Sequence, residues 1–452
     1  MKTKFIILVL LFPWFISGKA SDPKMASVTG DNILIEHIFP YQQQHCHGST
    51  IVELPNKDLL VAWFQGSGER TADDVAIKGA RYNHKTKKWG EPFVMADVPD
   101  FPDINPVLFI DSESRLWLTC YTVMAYQWSS SILKYRISEN YQQKEGAPEW
   151  KWQDMIHVKP DGQPTEGIGE NDPFVQTLNR KFDEYFDYLV KSGHVQTDGG
   201  NGIPKEKLEM ARNFYLDIAK GKNLVSDGME INEKGEKVKA KLGYPLMRRI
   251  GWQTRNKPVF VGNRMLLPLY SDGLNLSLMA ITDDLGKTWK FSEPILGGGA
   301  IQASLAKNKD GSITILMRDN GPAPKRLQKS VSKDGGLTWS SVIDTDISNP
   351  GTAADVVVLK SGSWALVHND IEDGRHRMSV WLSEDEGKTW PFRKIIVNGE
   401  PGSAVRGHYP AIIQGKDGMI NISYTNQIAG SNGGPDIKNI AHAVFSENWL
   451  KN

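Results

Sequence analysis

Cysteine is nearly missing from this chain: Cys46 and Cys120 are the two among 452 residues. Two cysteines cannot staple a disulfide scaffold, and without a Cys-x-x-Cys pair there is no zinc framework of the usual spacing. Whether the two pair with each other stays open at this level. An excess of either charge is missing as well, with Lys+Arg and Asp+Glu at 53 each. Neutrality removes the electrostatic argument for nucleic acid or an anionic membrane, so recognition of a charged substrate must be local. Beyond the first twenty residues there is no long apolar run and no transmembrane candidate.

Those first twenty residues read as a secretory signal peptide. Lys2 and Lys4 precede an apolar run from Phe5 to Phe15, followed by Ser17, Gly18, Lys19 and Ala20. A basic start, a short apolar core and small residues near a cleavage position have that meaning, and the run is too short to span a bilayer. The expected location is secreted or periplasmic, with residues 21–452 as the mature domain. No membrane insertion and a monomeric state are expected. His45 and His47 flank Cys46 and suggest a metal, but strand alternation puts the two histidines on one face and the cysteine on the other. No divalent-metal motif stands out and no catalytic cofactor is expected; a structural calcium ion is not readable here.

What is present is repetition. Thr282–Trp289 reads Thr-Asp-Asp-Leu-Gly-Lys-Thr-Trp and fits [ST]-x-D-x-G-x-T-W, as do Ser332–Trp339 and Ser383–Trp390. Their tryptophans fall 50 and 51 residues apart. Each motif suits a tight hairpin: Asp and Ser/Thr bond local backbone, Gly takes positive φ, and Trp packs between neighbouring sheets. In step with these Asp-boxes, six segments share an apolar strand, a polar turn and another apolar strand: 49–64, 106–121, 258–270, 303–317, 354–368 and 410–424. Six such units predict an all-β protein, a six-bladed β-propeller. Residues from about 155 to 245 break the rhythm. Phe174–Gly193 and Pro204–Gly221 look helical, with Phe182, Tyr185, Phe186 and Leu189 at helical spacing. They predict a helical insertion between blades 2 and 3, its aromatic stripe serving as core rather than as a sugar platform.

In a propeller, the starts of inner strands and the ends of second strands converge at one end of the axis. Those positions carry His47, Asn105, Arg255 with Asn256, Gln302, His408 with Tyr409, Tyr121, Tyr270 with Asp272, Arg318 with Asp319 and Asn320, and Asn369 with Asp370. The first blade adds Glu69, Arg70, Asp73 and Asp74.

The chain resembles the sialidase superfamily at several of these places. Met317-Arg318-Asp319-Asn320 ahead of an Asp-box resembles the blade whose arginine grips a substrate carboxylate. Arg375, before the next Asp-box, resembles a second carboxylate-binding arginine. Tyr409 in His-Tyr-Pro-Ala-Ile matches the nucleophilic tyrosine, and Gly68–Lys78 matches the loop of the acid/base aspartate, implying Asp73 or Asp74, with Glu69 as the alternative. Two positions depart from the family pattern. His47-Gly-Ser-Thr stands where the family has Arg-Ile-Pro, and Gln302 stands where it has a glutamate.

The resemblance implies an exo-acting glycoside hydrolase on a terminal acidic sugar. Tyr409 and Asp73 or Asp74 would be catalytic, and Arg318, Arg375, His47, Gln302 and Arg255 would bind substrate. A uronate-directed polysaccharide lyase and a non-catalytic carbohydrate-binding propeller are the competing readings.

Overall fold

The computed structural model describes residues 28–30, 33–160, 170–195, 202–221, 229–231, 234–239, 246–430 and 434–452. The leader-like first twenty residues lie outside this set. Six antiparallel sheets of four or five strands form the six blades of a propeller. Their inner strands are His45–Glu53, Asp103–Ile110, Gln253–Thr254 continued by Val259–Val261, Ala300–Lys307, Asp355–Val358 and Val405–Gln414. A strand clamped between two neighbouring sheets buries both faces, which is why Leu116–Val123 is buried along its whole length instead of alternating.

The core is divided into six wedges, one between each pair of adjacent blades. Cys46 lies in the wedge between blades 6 and 1, and Cys120 in the wedge between blades 1 and 2. Both are buried free thiols, with burial pushing each up to about 12. His45 and His47 do share a face, their ring centroids 5.8 Å apart. Large aromatics fill the wedges; truncating one such as Trp117 to alanine is a change that typically costs about 3–5 kcal/mol.

The Asp-boxes lock turns, as their composition predicts. Thr282 Oγ1 accepts from the Gly286 amide at 2.8 Å, while Asp284 accepts from the Thr288 amide at 2.9 Å and its hydroxyl at 2.6 Å. The same bonds recur around Asp334 and Asp385. Trp339 and Trp390 are buried in the wedges beside their blades.

Ring closure follows a route that the repeat pattern did not reveal. Ile33–His37 pairs antiparallel with Ile437–Phe445, so an N-terminal strand completes the sixth blade, with Val28–Gly30 added outside it.

Between blades 2 and 3 lie two helices, α1 (Pro173–Lys191) and α2 (Lys205–Ala219), close to the predicted spans. Asp172 caps α1 by accepting from the Phe174 and Val175 amides, and Pro173 suits the first helical position, where no amide partner is needed. Phe182 and Leu189 are buried in the wedge between blades 2 and 3, with Tyr185 and Phe186 packed against it. α1 also reaches blade 4: Lys181 Nζ donates to the Trp339 carbonyl at 2.9 Å, and Tyr188 Oη accepts from the Asp344 amide at 2.9 Å. A short hairpin, Met229–Ile231 with Lys237–Lys239, lies in the same insertion, where the sequence predicted no element.

Candidate active site

Four inner strands carry the same device at the same register. Their first-to-second strand pairings His47↔Phe64, Ile104↔Tyr121, Ile301↔Arg318 and His408↔Thr425 are each followed by a bulge. The next residue in each case has positive φ: Gly48 at 63°, Asn105 at 46°, Gln302 at 56° and Tyr409 at 53°. A bulge re-aims a side chain, and positive φ in a non-glycine residue is local strain that the surrounding structure must hold. Here the strain turns Asn105, Gln302 and Tyr409 into one cavity. Gly48 is glycine because a Cβ there would sit 2.5 Å from Asn105 Oδ1.

The cavity measures about 380 Å³, and most of its lining comes from inner-strand starts, second-strand ends and the loops beyond them. His47, Phe64, Glu69 and Arg70 come from blade 1, and Ile104, Asn105, Tyr121 and Trp128 from blade 2. Tyr270 and Asp272 come from blade 3, Gln302, Arg318 and Asn320 from blade 4, Arg375 from blade 5 and Tyr409 from blade 6.

Arg318 is fixed on both guanidinium ends by neutral acceptors. Nη1 donates to Tyr409 Oη at 2.9 Å and Gln302 Oε1 at 3.3 Å, and Nη2 donates to Asn320 Oδ1 at 3.0 Å. Arg375 Nη1 lies 3.2 Å from His408 Nδ1. Burial holds His408 well below its ordinary value, with Arg375 adding to the effect. The neutral ring therefore accepts at Nδ1 and presents its proton at Nε2 to Gln427 Oε1, 3.1 Å away. Among the described residues neither Arg318 nor Arg375 forms a close ion pair, whereas Arg115, Arg264 and Arg377 each hold a carboxylate. Two fixed guanidiniums without carboxylate partners make a site for an anion.

Tyr409 sits between them. Burial alone would push its phenol up, but Arg318, Arg375 and a Gln302 hydrogen bond outweigh that and hold it below the usual value of 10.0. The His47 ring lies 4.1 Å from the Tyr409 ring. Burial keeps His47 well below its ordinary value, with His408 and Arg375 adding to it, so His47 is neutral. His47 thus lines the cavity as a neutral imidazole and adds no positive charge to the two guanidiniums.

Arg255 differs from its expected place. It is buried beneath Tyr409, its guanidinium 5.3 Å from that ring, donating to the Pro410 carbonyl at 2.8 Å. It supports the strained Tyr409 backbone and does not line the cavity.

Asp73 and Asp74 are turned away too. Asp73 accepts from Tyr126 Oη at 3.0 Å, and Asp74 accepts from the Ser67 amide and hydroxyl at 3.0 and 2.8 Å. The loop instead delivers Glu69, the alternative. Burial would raise Glu69, but its bond to His45, 3.0 Å away, and the nearby cations hold it below its ordinary value. The second cavity carboxyl is Asp272, which burial pushes above 3.8 against the opposing pull of Arg318. Sequence reasoning placed Asp272 among converging residues without a role. Trp128 was missed, since it sits in a 3-10 turn outside the strand pairs.

The comparisons with known proteins agree with this architecture. The BNR repeat-like domain family matches residues 57–182 and 250–422, on both sides of the insertion's core. The chain belongs to this family. A Micromonospora viridifaciens sialidase is 26% identical over 149 residues, which is 31% of this chain and 22% of that protein. A Paraclostridium sordellii sialidase is 26% identical over 162 residues, 31% of this chain and 39% of that protein. The matches thus span well under half the length of these curated relatives. Among solved structures, a leech intramolecular trans-sialidase superposes with a TM-score of 0.57 at 16% identity, over 94% of this chain and 71% of that one. A Dyadobacter fermentans protein of unknown function superposes with a TM-score of 0.57 at 14% identity, over 94% and 99%. At such identities the likeness to these structures is one of fold. In this BNR propeller two arginines and a tyrosine share the cavity, while Gln302 and His47 stand at the two departures from the family pattern.

Proposed function

We propose that this propeller is an exo-acting glycosidase that removes a terminal, carboxylate-bearing sugar from a glycan. The observation that carries the reading is the Arg318–Tyr409 hydrogen bond of 2.9 Å in the cavity at one end of the axis, with Arg375 alongside. The two guanidiniums take the sugar carboxylate, which sets the anomeric carbon against Tyr409 Oη. In the family pattern a glutamate assists the tyrosine. Here Gln302 cannot accept a proton as a carboxylate does, and the arginines instead lower the phenol itself.

The two cavity carboxyls are split in the way acid/base chemistry requires, Asp272 raised and Glu69 lowered. With its proton already lost to solvent, Tyr409 attacks as a phenolate held by Arg318, and Asp272 gives its proton to the leaving oxygen as the Tyr409–anomeric carbon bond forms and the glycosidic bond breaks. Water then attacks the anomeric carbon, Asp272 takes its proton, and the phenolate leaves. Purified protein incubated with sialosides and other acidic glycosides should release the free sugar, and Tyr409→Phe should not. No product from any of them, with Tyr409→Phe indistinguishable from wild type, would sink the reading.

One observation favours a second reading. His47, neutral and 4.1 Å from the Tyr409 ring, is a competent base for the C5 proton of a uronate whose carboxylate is neutralised by Arg318 and Arg375. That polysaccharide lyase would produce unsaturated sugars. Their ultraviolet absorbance separates it from the hydrolase in a single assay.

A further inference from the structure

Arg375 enters the cavity from the loop between the strands Trp364–His368 and Arg377–Ser383 of blade 5. A strand residue such as Arg318 takes its direction from the sheet, whereas a loop arginine needs its place set from outside. Blade 6 sets it. The Gly407 amide donates to the Arg375 carbonyl at 3.0 Å, and the next residue, His408, meets the guanidinium.

Behind His408 runs a chain of three hydrogen bonds with a single consistent direction. A carboxylate such as Asp436 only accepts, so Gln427 turns Nε2 toward it, 2.5 Å from Oδ2. Gln427 Oε1 is then left to accept, and His408 Nε2 lies 3.1 Å from it. His408 therefore carries its proton on Nε2 and offers the Nδ1 lone pair to Arg375 Nη1, 3.2 Å away. Arg375 only donates, so the cavity end demands the same direction as the Asp436 end. Reversing the Gln427 amide would set acceptor against acceptor at Asp436 and move the His408 proton to Nδ1, against the guanidinium.

The chain runs from rim to cavity. Asp436 is half-buried just ahead of the strand Ile437–Phe445, and its other oxygen accepts from the Gly430 amide at 3.0 Å. Gln427 and His408 are buried. At the inner end the Arg375 guanidinium lies 5.5 Å from the Tyr409 ring.

We infer that Asp436 is a positioning residue for Arg375, acting through Gln427 and His408, so that blade 6 fixes the second guanidinium of the anion site. The inference rests on the proposed function for its biological meaning; its test needs no turnover. The first readout is the His408 tautomer, observed by NMR in protein with nitrogen-labelled histidine and assigned with His408→Gln. It should be the neutral ring with its proton on Nε2, and a proton on Nδ1 overturns the inference. The second readout is the titration of Tyr409, followed in protein labelled at the tyrosine phenolic carbon and assigned with Tyr409→Phe. Asp436→Leu removes a negative charge, which through space alone would lower the Tyr409 midpoint, whereas a displaced Arg375 raises it. The sign of the shift therefore separates positioning from charge.

Asp436→Leu and Gln427→Leu should both raise the Tyr409 midpoint, by part of the shift that Arg375→Gln produces. Asp436→Asn keeps an acceptor for the Gln427 amide and should leave the midpoint at or below that of wild type. In an Arg375→Gln background Asp436→Leu should give no rise. A midpoint unchanged or lowered in either leucine variant overturns the inference. So does a rise that persists without Arg375, or one that Asp436→Asn shows in full. Absence of turnover on acidic glycosides in the wild-type protein would count against the functional reading alone.

Discussion

Arg318 Nη1 donates to Tyr409 Oη at 2.9 Å across 91 residues of sequence, joining blade 4 to blade 6 at one end of the axis. The bulge on the inner strand of blade 6 turns Tyr409 toward Arg318, and the equivalent bulge on blade 4 brings Gln302 to the same guanidinium. Neither Arg318 nor Tyr409 alone distinguishes this cavity from a turn-rich rim. Together they place a fixed cation against a phenol that it makes more acidic.

Arg318→Ala should lower kcat/KM on any substrate that is turned over by roughly 10- to 100-fold, the equivalent of losing a charge-assisted hydrogen bond worth about 1.5–3 kcal/mol. Arg318→Lys should recover only part of this, because an ammonium cannot bond Tyr409, Gln302 and Asn320 as a planar fork does. Steady-state kinetics on both variants check the order wild type, lysine, alanine.

Gln302→Glu should raise the Tyr409 midpoint, since a new negative charge would offset Arg318 beside the phenol. The same change restores the residue type of the family pattern, so its pH–rate profile should move as well. NMR titration of the labelled phenol tests the shift, and a fall in the midpoint would contradict the electrostatic account of Tyr409.

Gly48→Ala should destabilise the fold by about 1–3 kcal/mol, through positive φ and a Cβ 2.5 Å from Asn105 Oδ1. The displaced Asn105 amide would lose its bonds to Tyr121 and Tyr270, so activity should fall together with stability. Denaturant melts paired with turnover would show this.

Asp284 and Asp385 are held down to about 2 by hydrogen bonds within their turns. Their folded-state values lie below the ordinary 3.8, so their stabilisation is complete above that pH and is lost as pH falls toward 2. Both lie in partly exposed turns, and solvent screening keeps each effect small. Thermal melting from pH 5 to 2 should show a shallower acid loss for Asp284→Asn/Asp385→Asn than for wild type, measured from each protein's own value at pH 5.

Cys46 and Cys120 should stay unreactive to thiol reagents in the folded protein and titrate as two thiols on unfolding. Reducing agent should leave the melting temperature unchanged, because the two lie in different wedges.

Much of this molecule was legible in one dimension. Asp-box spacing and six strand pairs counted the blades, and helical periodicity marked the insertion, because both signals are local in sequence. Arg318, Gln302 and Tyr409 were legible as cavity residues because inner-strand starts and second-strand ends occupy fixed places in every blade, whereas Arg375 was reached through the family resemblance. The closing strand Ile33–His37 was not, since pairing with Ile437–Phe445 leaves no motif in either segment.

What only the tertiary structure decided was direction and environment. Asp73 and Asp74 are three and four residues beyond Arg70 in a loop whose path turns them to Tyr126 and Ser67, leaving Glu69 inside. Arg255 and His47 were correctly placed near the axis, but burial put one beneath Tyr409 and left the other neutral. Sequence thus determined which groups converge, because repeat period and strand alternation fix that by themselves. Which of them face the cavity, and in what charge state, depends on loop path, strained bulges and desolvation, which exist only once the blades have closed into a ring.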